Sequence, residues 1–159
     1  FLIDKDQIKV EVDFAGQRYP VQISTGQKAQ EIALHPVGEV AVLQGDEIEV
    51  PLIEIAHARS GDKGNHSNIG VIARKTEYLP WIRAALTEAN IADYMQHVLD
   101  PDTSKVIRYE LPAMNALNFM LENALGGGGI ASLRIDPQGK AFAQQLLDMP
   151  VKVPRKLIS

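Results

Sequence analysis

The sequence contains no cysteine, and this absence excludes several kinds of chemistry at once. Disulfide bonds, thiolate catalysis, cysteine-ligated zinc and cysteine-ligated iron–sulfur clusters all need a thiol that the chain does not have. The four histidines, at positions 35, 57, 66 and 97, show no H-x-x-x-H or H-E-x-x-H spacing. We therefore predict neither a metal site nor a bound cofactor.

Basic residues are fewer than acidic ones, and the sequence has no long apolar run. The chain has 16 lysines and arginines against 20 aspartates and glutamates, a formal net charge of −4. Without a basic excess to neutralise a phosphate backbone, nucleic acid is not expected as a partner. No apolar run approaches the roughly 20 residues of a membrane-spanning helix, and no signal peptide is visible. We expect a cytoplasmic chain with no membrane partner.

An initiator methionine is missing as well, because the chain begins Phe1-Leu2-Ile3. Such an apolar beginning is rare at a native N-terminus. We therefore expect the chain to be a piece of a longer protein. Its 159 residues suffice for one well-cored domain with a small appendage.

The first 50 residues predict a β-rich linker or hairpin segment. Apolar and polar side chains alternate over Ile8–Phe14, which predicts a half-buried strand, and again from Tyr19 to Ile23, which completes a hairpin. Residues 25–37 predict an irregular connection, and residues 39–50 predict a second short extended pair. Residues 51–159 are then predicted to form the main domain.

The sequence of the main domain predicts four strands and four helices in the order β, β, α, α, β, α, β, α. The expected strands cover residues 52–59, 69–74, 106–111 and 130–135, and the expected helices cover residues 79–87, 91–99, 112–125 and 139–148. The last strand–helix–strand unit should leave its two strands parallel. We therefore predict an α+β two-layer sandwich, with helices on one face of a mixed sheet.

Alternation within the strands predicts which side chains meet the helices. Ile107, Tyr109 and Leu111 share one face of their strand, which we expect the helices to cover. The other face of the sheet should be polar and exposed, and it is predicted to carry Arg108, Glu110, Ser132 and Arg134.

The stretch ARSGDKGNHSN, Ala58–Asn68, is the strongest candidate for a functional site. His57 and Arg59 continue the apolar face of the preceding strand into polar residues, as at the rim of a pocket. A guanidinium suits a carboxylate or phosphate, and glycine allows close approach of the backbone. The predicted ligand contacts are His57, Arg59, Ser60, Gly61, Gly64, Asn65 and Asn68. The predicted catalytic acid, base or proton-transfer residues are Asp62, Lys63 and His66.

Two further segments could complete this site. The helix predicted over residues 112–125 carries a polar stripe with Asn115 and Asn118, and the glycine run after it could bring Gly127 and Gly128 close to an anion. Each feature also has an ordinary structural explanation. A polar stripe is usually the wet side of a helix, a glycine run a helix cap, and a Gly-, Asn- and Asp-rich stretch a turn.

Four motifs within residues 51–153 are similar to those of the C-terminal ferredoxin-like domain of the acyclic terpene utilisation family, AtuA. They are ARSGDKG, RYELPxxxALNF, NALGGGG and SLRxDxQGK. The resemblance implies a ferredoxin-like fold, and a large N-terminal domain of the same protein as a partner. It also implies a bacterial protein linked to the breakdown of citronellol, geraniol and related branched acyl-CoA compounds.

Two functions stay open at this point. The domain could assist assembly and contribute part of an anionic-ligand site for a carboxylate or a CoA thioester, within an enzyme that acts on acyl-CoA intermediates. Alternatively, it is a purely structural module that docks on the large domain or forms a homo-oligomer. The resemblance carries over no catalytic residues, and we expect a homo-oligomer whose isolated C-terminal chain is inactive.

Overall fold

The chain divides into two compact units, Phe1–Leu34 and His35–Ser159. The computed structural model describes residues 3–24, 38, 40–42, 45–111 and 113–158. The irregular connection predicted over residues 25–37 therefore lies outside the described residues, as does part of the extended pair predicted over residues 39–50.

The smaller unit contains an antiparallel hairpin of β1 (Glu11–Phe14) and β2 (Gln17–Pro20). Ala15 and Gly16 both have positive φ, 53° and 78°, as the two central residues of a type I′ turn require. The predicted hairpin is thus confirmed, but the predicted half-burial is wrong. Every residue of both strands is exposed, since two strands by themselves cannot bury an apolar face.

The larger unit combines strands and short helices, which confirms the predicted α+β class. Its strands are β3 (Glu47–Pro51), β4 (Ala56–Lys63), β5 (His66–Ala73), β6 (Lys105–Leu111), β7 (Ala116–Glu122) and β8 (Pro150–Pro154). Its helices are α1 (Leu79–Ala85), α2 (Glu88–Tyr94), α3 (Gly128–Ala131), α4 (Phe142–Leu147) and α5 (Arg155–Ile158). Short 3-10 turns at Leu52–Glu54 and Thr76–Tyr78 precede β4 and α1.

The main sheet has four strands in the order β4-β5-β7-β6, and every neighbouring pair is antiparallel. The helix predicted over residues 112–125 is therefore wrong, and so is the predicted parallel pair. Leu117, Phe119 and Leu121 are all fully buried, so the segment follows the period of two that a strand requires. Leu117 and Leu121 also have helical spacing, which is why the sequence favoured a helix.

Three other predicted elements change as well. The strand predicted over residues 130–135 is wrong, because α3 and an irregular stretch occupy this part of the chain. The candidate loop after residue 59 is mostly strand, since β4 continues to Lys63 and only a two-residue turn separates it from β5. The pairing predicted within residues 39–50 is also wrong. Residues 47–50 belong to β3, which pairs with β8 near the C-terminal end of the sequence.

One face of the main sheet packs against α1, α2 and α4. Leu117 and Phe119 from β7 share a buried cluster with Ile82, Ile91 and Leu146 from the three helices. The opposite side of the sheet, called the open face below, carries the alternate residues of the four strands. Its exposed apolar side chains include Ile72 and Tyr109.

The predicted assignment of the two faces of β6 is reversed in the structure. Arg108 and Glu110 lie on the helix side, where Glu110 forms a 3.0 Å ion pair with Arg83 of α1. The guanidinium of Arg108 donates to the carbonyl oxygens of Arg83 and Leu86. These bonds satisfy charged groups that would otherwise be costly to cover. The open face therefore carries Ile107, Tyr109 and Leu111, while Ser132 and Arg134 lie outside the sheet.

Candidate functional site

The open face brings predicted ligand residues from three strands together. One row of paired residues crosses all four strands and reads Arg59, Gly70, Asn118 and Tyr109. The next row reads His57, Ile72, Ala116 and Leu111. Side chains in such rows stand about 5 Å apart on the same face, so they can contact one ligand.

A groove of about 310 Å³ lies over the second row and over Arg59 and Gly70 of the first, with Asn118 next to Gly70 just outside its lining. Its rim includes His57 and Arg59, and its walls include Ile72, Leu111 and Met114. Apolar walls with a few polar groups at one end are typical of small-molecule sites.

Two small residues create this groove. Gly70 and Ala116 lie in neighbouring strands and form part of its floor. Each stands in the middle of its row, between larger side chains on both sides, so the sheet surface is lowest there. A β-carbon added at Gly70 would meet only the Arg59 carbonyl oxygen, at 3.9 Å, so the backbone tolerates a side chain at this position. The glycine therefore leaves space above the sheet rather than relieving a backbone clash.

Arg59 is an unpaired cation at this rim. Its side chain is exposed, and it has no ion pair or hydrogen bond within the part of the chain that the structure describes. Arg74 nearby is already engaged, because its Nε donates to the Ile53 carbonyl oxygen at 2.7 Å. Arg74 Nη1 also lies 3.2 Å from His57 Nε2. A guanidinium only donates, so His57 Nε2 accepts and the imidazole proton is on Nδ1.

Two asparagines hold the centre of the open face. Asn68 Nδ2 donates to Asn118 Oδ1 at 3.2 Å, which fixes the amide plane of Asn118. The Asn118 amide nitrogen then has its two N–H groups without a partner among the described residues. Because Gly70 separates Asn118 from Arg59 in the row, donors stand on both sides of the gap above this glycine.

The turn between β4 and β5 gathers a different group of predicted residues. Asn65 Nδ2 donates to Asn123 Oδ1 at 3.2 Å, and the Gly127 N–H donates to Asn65 Oδ1 at 2.6 Å. A β-carbon at Gly128 would stand 2.5 Å from the Gly64 carbonyl oxygen, so the glycine run packs directly against the turn. The motifs ARSGDKG and NALGGGG are therefore bound to each other.

The three residues predicted to be catalytic also lie near this turn. Lys63 follows Arg59 by four strand positions, which is about 13 Å along β4. Asp62 forms a 3.4 Å ion pair with Lys140, and the Lys63 ammonium donates to the Asp62 carbonyl oxygen. His66 Nδ1 accepts the Asn123 N–H at 2.9 Å, so its imidazole proton is on Nε2. The structure does not bring this trio to the groove.

The remaining predicted contacts point elsewhere. Ser60 is buried on the helix side, where its Oγ accepts the Ala143 N–H at 2.9 Å and donates to the Lys140 carbonyl oxygen. Gly61 has the phase of Arg59, but it is buried, and a β-carbon there would meet Lys140 Nζ at 3.1 Å. Asn115 has a positive φ of 50° in the turn before β7, and its amide donates to Thr76 Oγ1. These residues position strands and helices around the open face.

Besides Ala58, Val71 and Leu117, which belong to the helix-side phase of their strands, sequence reasoning missed five groove residues, which are Gly70, Ile72, Leu111, Met114 and Ala116. One signal was available, because Gly70 interrupts a run of Ile and Val in a predicted strand and such a glycine often marks close approach of another group. The others required knowledge that residues 116–122 form a strand beside β5.

Two classes of feature are absent from the described residues. No cluster of three or more His, Asp or Glu side chains there could hold a metal ion. None of the helices in the described ranges is both long and apolar enough to cross a membrane.

Comparison with known proteins gives one match. A family model described as the AtuA ferredoxin-like domain matches residues 50–152, which include every residue of the open face and of the turn cluster discussed above. This match confirms the resemblance on which the ferredoxin-like fold class was predicted. No curated protein and no solved structure matches the chain significantly.

Proposed function

The chain belongs to the AtuA ferredoxin-like domain family, and on that premise we propose that it is an accessory domain that contributes an anionic-ligand site to a longer AtuA-like protein. Such a protein takes part in bacterial breakdown of acyclic terpenes or of related branched acyl-CoA compounds. The large N-terminal domain of that longer protein is the proposed partner, and it covers the open face.

The observation that carries this proposal is Arg59, which stands beside an apolar groove and has no partner among the described residues. A lone guanidinium on a surface is unremarkable, but this one stands at the rim of a groove whose walls are Ile72, Leu111 and Met114. Intermediates of acyclic terpene breakdown have the matching chemistry, a carboxylate or a thioester of the anionic coenzyme A on a methyl-branched hydrocarbon. Arg59 would bind the charged head and the walls would cover the hydrocarbon.

Replacing Arg59 with alanine tests the proposal. In the NMR spectrum of the ¹⁵N-labelled chain, we expect citronellate, its CoA thioester, or both to cause saturable chemical-shift changes at the backbone amides of Gly70, Ile72 and Asn118. The Arg59→Ala variant should bind about tenfold or more weakly, because hydrogen bonds to a charged group contribute about 1.5–3 kcal/mol. Calorimetric or NMR titration at constant ionic strength measures the change.

Lys63→Ala is the matched control for this experiment. Lys63 is exposed on the same strand as Arg59, but it lies near the turn and outside the groove. Its loss removes the same charge from the chain and should change affinity less than about twofold. Equal weakening by both variants would mean non-specific attraction of anions, and the proposed site would then be wrong.

A docking role is the second candidate, and a different observation favours it. Ile130, Leu133 and Ile135, called the aliphatic segment below, are fully exposed at 104%, 102% and 105%. Arg134 anchors this stretch through its guanidinium, which donates to the carbonyl oxygens of Val98 and Ala124. Three exposed large aliphatics on an anchored stretch are typical of a surface that another protein covers.

Leu133→Asp tests the docking role. If the aliphatic segment joins two copies of the chain, light scattering of the wild type should show a dimer whose fraction rises with concentration. The variant should remain monomeric at the same concentrations, because a buried unpaired carboxylate opposes association. Ile53→Asp, at another exposed isoleucine, is the control and should leave the dimer intact. A wild type that stays monomeric throughout contradicts self-association through this segment.

Proton transfer by Asp62, Lys63 or His66 stays a prediction. Lys63 and His66 have the open-face phase near the β4–β5 turn, so they would serve chemistry only on a ligand that extends along β4 beyond the groove, whereas Asp62 shares the helix-side phase of Ser60.

A further inference from the structure

We infer that the groove takes a free monocarboxylic acid rather than its CoA thioester, with the carboxylate above Gly70 and the hydrocarbon above Ala116. This inference rests on the proposed anionic-ligand site and adds the class of ligand, its orientation and the residues that set its length.

The position of the head follows from the register of the sheet. Gly70 lies between Arg59 on one side and Asn118 on the other, in a single row of paired residues. Backbones two strands apart are separated by roughly 10 Å, so both side chains can reach a small group held midway. Arg59 only donates, and Asn118 offers its amide N–H groups while its oxygen accepts from Asn68. This arrangement of donors suits an acceptor-only group with negative charge.

The position of the tail follows from the neighbouring row. Ala116 adjoins Ile72 and Leu111 in that row, and Met114 stands in the turn directly before it. None of these side chains is charged, and together with the Ala116 methyl group they form the apolar end of the groove. A hydrocarbon above Ala116 would be removed from water on several sides.

The volume and charge of the groove argue against a thioester. At roughly 30 Å³ for a volume the size of one water, about 310 Å³ accommodates about ten non-hydrogen atoms. That number matches an eight-carbon acid, so the coenzyme A moiety of a thioester would extend out of the groove, beyond its apolar walls. A thioester carbonyl is also neutral, so it would forgo the charge-assisted, two-pronged bond that a carboxylate forms with a guanidinium. Arg59 therefore discriminates in favour of the free acid.

Octanoate, octanamide and octanoyl-CoA are the probes that test this inference, because the first two are nearly equal in shape and differ in charge. We expect octanoate to bind at least about tenfold more tightly than octanamide to the wild type, and to lose this advantage in Arg59→Ala. Octanoyl-CoA should bind no better than octanamide. ¹⁵N-NMR titration reports both the affinity and whether the residues that shift are those around Gly70 and Ala116.

Ala116→Val tests the orientation. The valine should weaken octanoate about tenfold while leaving butanoate, whose short tail hardly reaches this row, within about twofold. Gly70→Ala is the companion variant, because its added methyl group makes only an ordinary 3.9 Å contact and the fold should persist. It should weaken octanoate and butanoate alike, since it occupies the position of the head.

Each contrary result has a distinct meaning. If octanoyl-CoA binds in an Arg59-dependent way and octanoate does not, the free-acid inference is overturned while the anionic-ligand site stands. If octanamide equals octanoate, charge plays no part and the assignment of the head is wrong. If no anion binds in an Arg59-dependent way, the proposed function itself fails.

Discussion

Replacing Gly128 with alanine is expected to lower the free energy of unfolding by about 3 kcal/mol. Two costs combine, and the first is conformational. Gly128 has a φ of 79°, where a β-carbon costs roughly 1–2 kcal/mol. The second is steric, because the new β-carbon would stand 2.5 Å from the Gly64 carbonyl oxygen. Backbone shifts that relieve such overpacking cost typically 1–3 kcal/mol.

Gly64→Ala separates the two costs. Gly64 has a similar φ of 66°, but a β-carbon there would meet nothing within 4 Å. This control should therefore lose only the conformational part, about 1 kcal/mol. Urea unfolding, followed by circular dichroism, measures both variants against the wild type at constant slope. Equal losses for the two variants would show that the turn does not pack against Gly128.

This result would decide the role of the glycine run. The sequence offered two interpretations of Gly127 and Gly128, namely contact with an anion and a structural cap. In the structure the run serves the turn between β4 and β5, because the Gly127 N–H donates to Asn65 and Gly128 leaves room for the Gly64 carbonyl. The turn supplies the amide side chain of Asn65, and the glycine run supplies the N–H that binds it and the space for the Gly64 carbonyl oxygen.

The parts of the fold that the sequence predicted well are those with a single period. The strand predicted over Val106–Leu111 is part of β6, and the helix predicted over residues 139–148 contains α4. Residues 112–125 failed because Leu117 and Leu121 satisfy both the strand period and the helix period. The antiparallel partner decided between them, since β7 fills the position between β5 and β6. That choice depends on residues far apart in sequence, which a local pattern does not contain.

The residues of the candidate site likewise fall into those that a local pattern placed correctly and those that it did not. Alternation along β4 correctly put His57 and Arg59 on one face, and it should also have put Ser60 on the other. Grouping residues by composition rather than by strand phase joined Ser60 to a site that it cannot reach. Asn118 was selected for a helix stripe, yet it lies on the open face as part of β7. The groove floor was missed because Gly70 and Ala116 become neighbours only when β5 pairs with β7.

Replacing Glu110 with alanine is the other change for which we expect a large effect, about 3–5 kcal/mol of lost stability. The Glu110 and Arg83 side chains are each only 16% exposed, and their charged atoms are 3.0 Å apart. The second carboxylate oxygen lies 3.9 Å from Arg108 and has no hydrogen bond among the described residues. Removing the carboxylate takes away the anion that faces both Arg83 and Arg108 in a place that water reaches poorly.

Thermal and urea unfolding measure this loss, and two comparisons make the explanation specific. Glu122→Ala removes a glutamate from the open face of β7 and should change stability by less than about 0.5 kcal/mol. The double variant Arg83→Met, Glu110→Leu should recover much of the stability lost in Glu110→Ala, because apolar residues of similar volume replace a covered ion pair at little cost. The deficit of Glu110→Ala should also persist in about 1 M sodium chloride, since covered charges are weakly screened. A deficit that salt removes, or that the double variant does not reduce, would mean that the charge pair is not what holds β6 against α1.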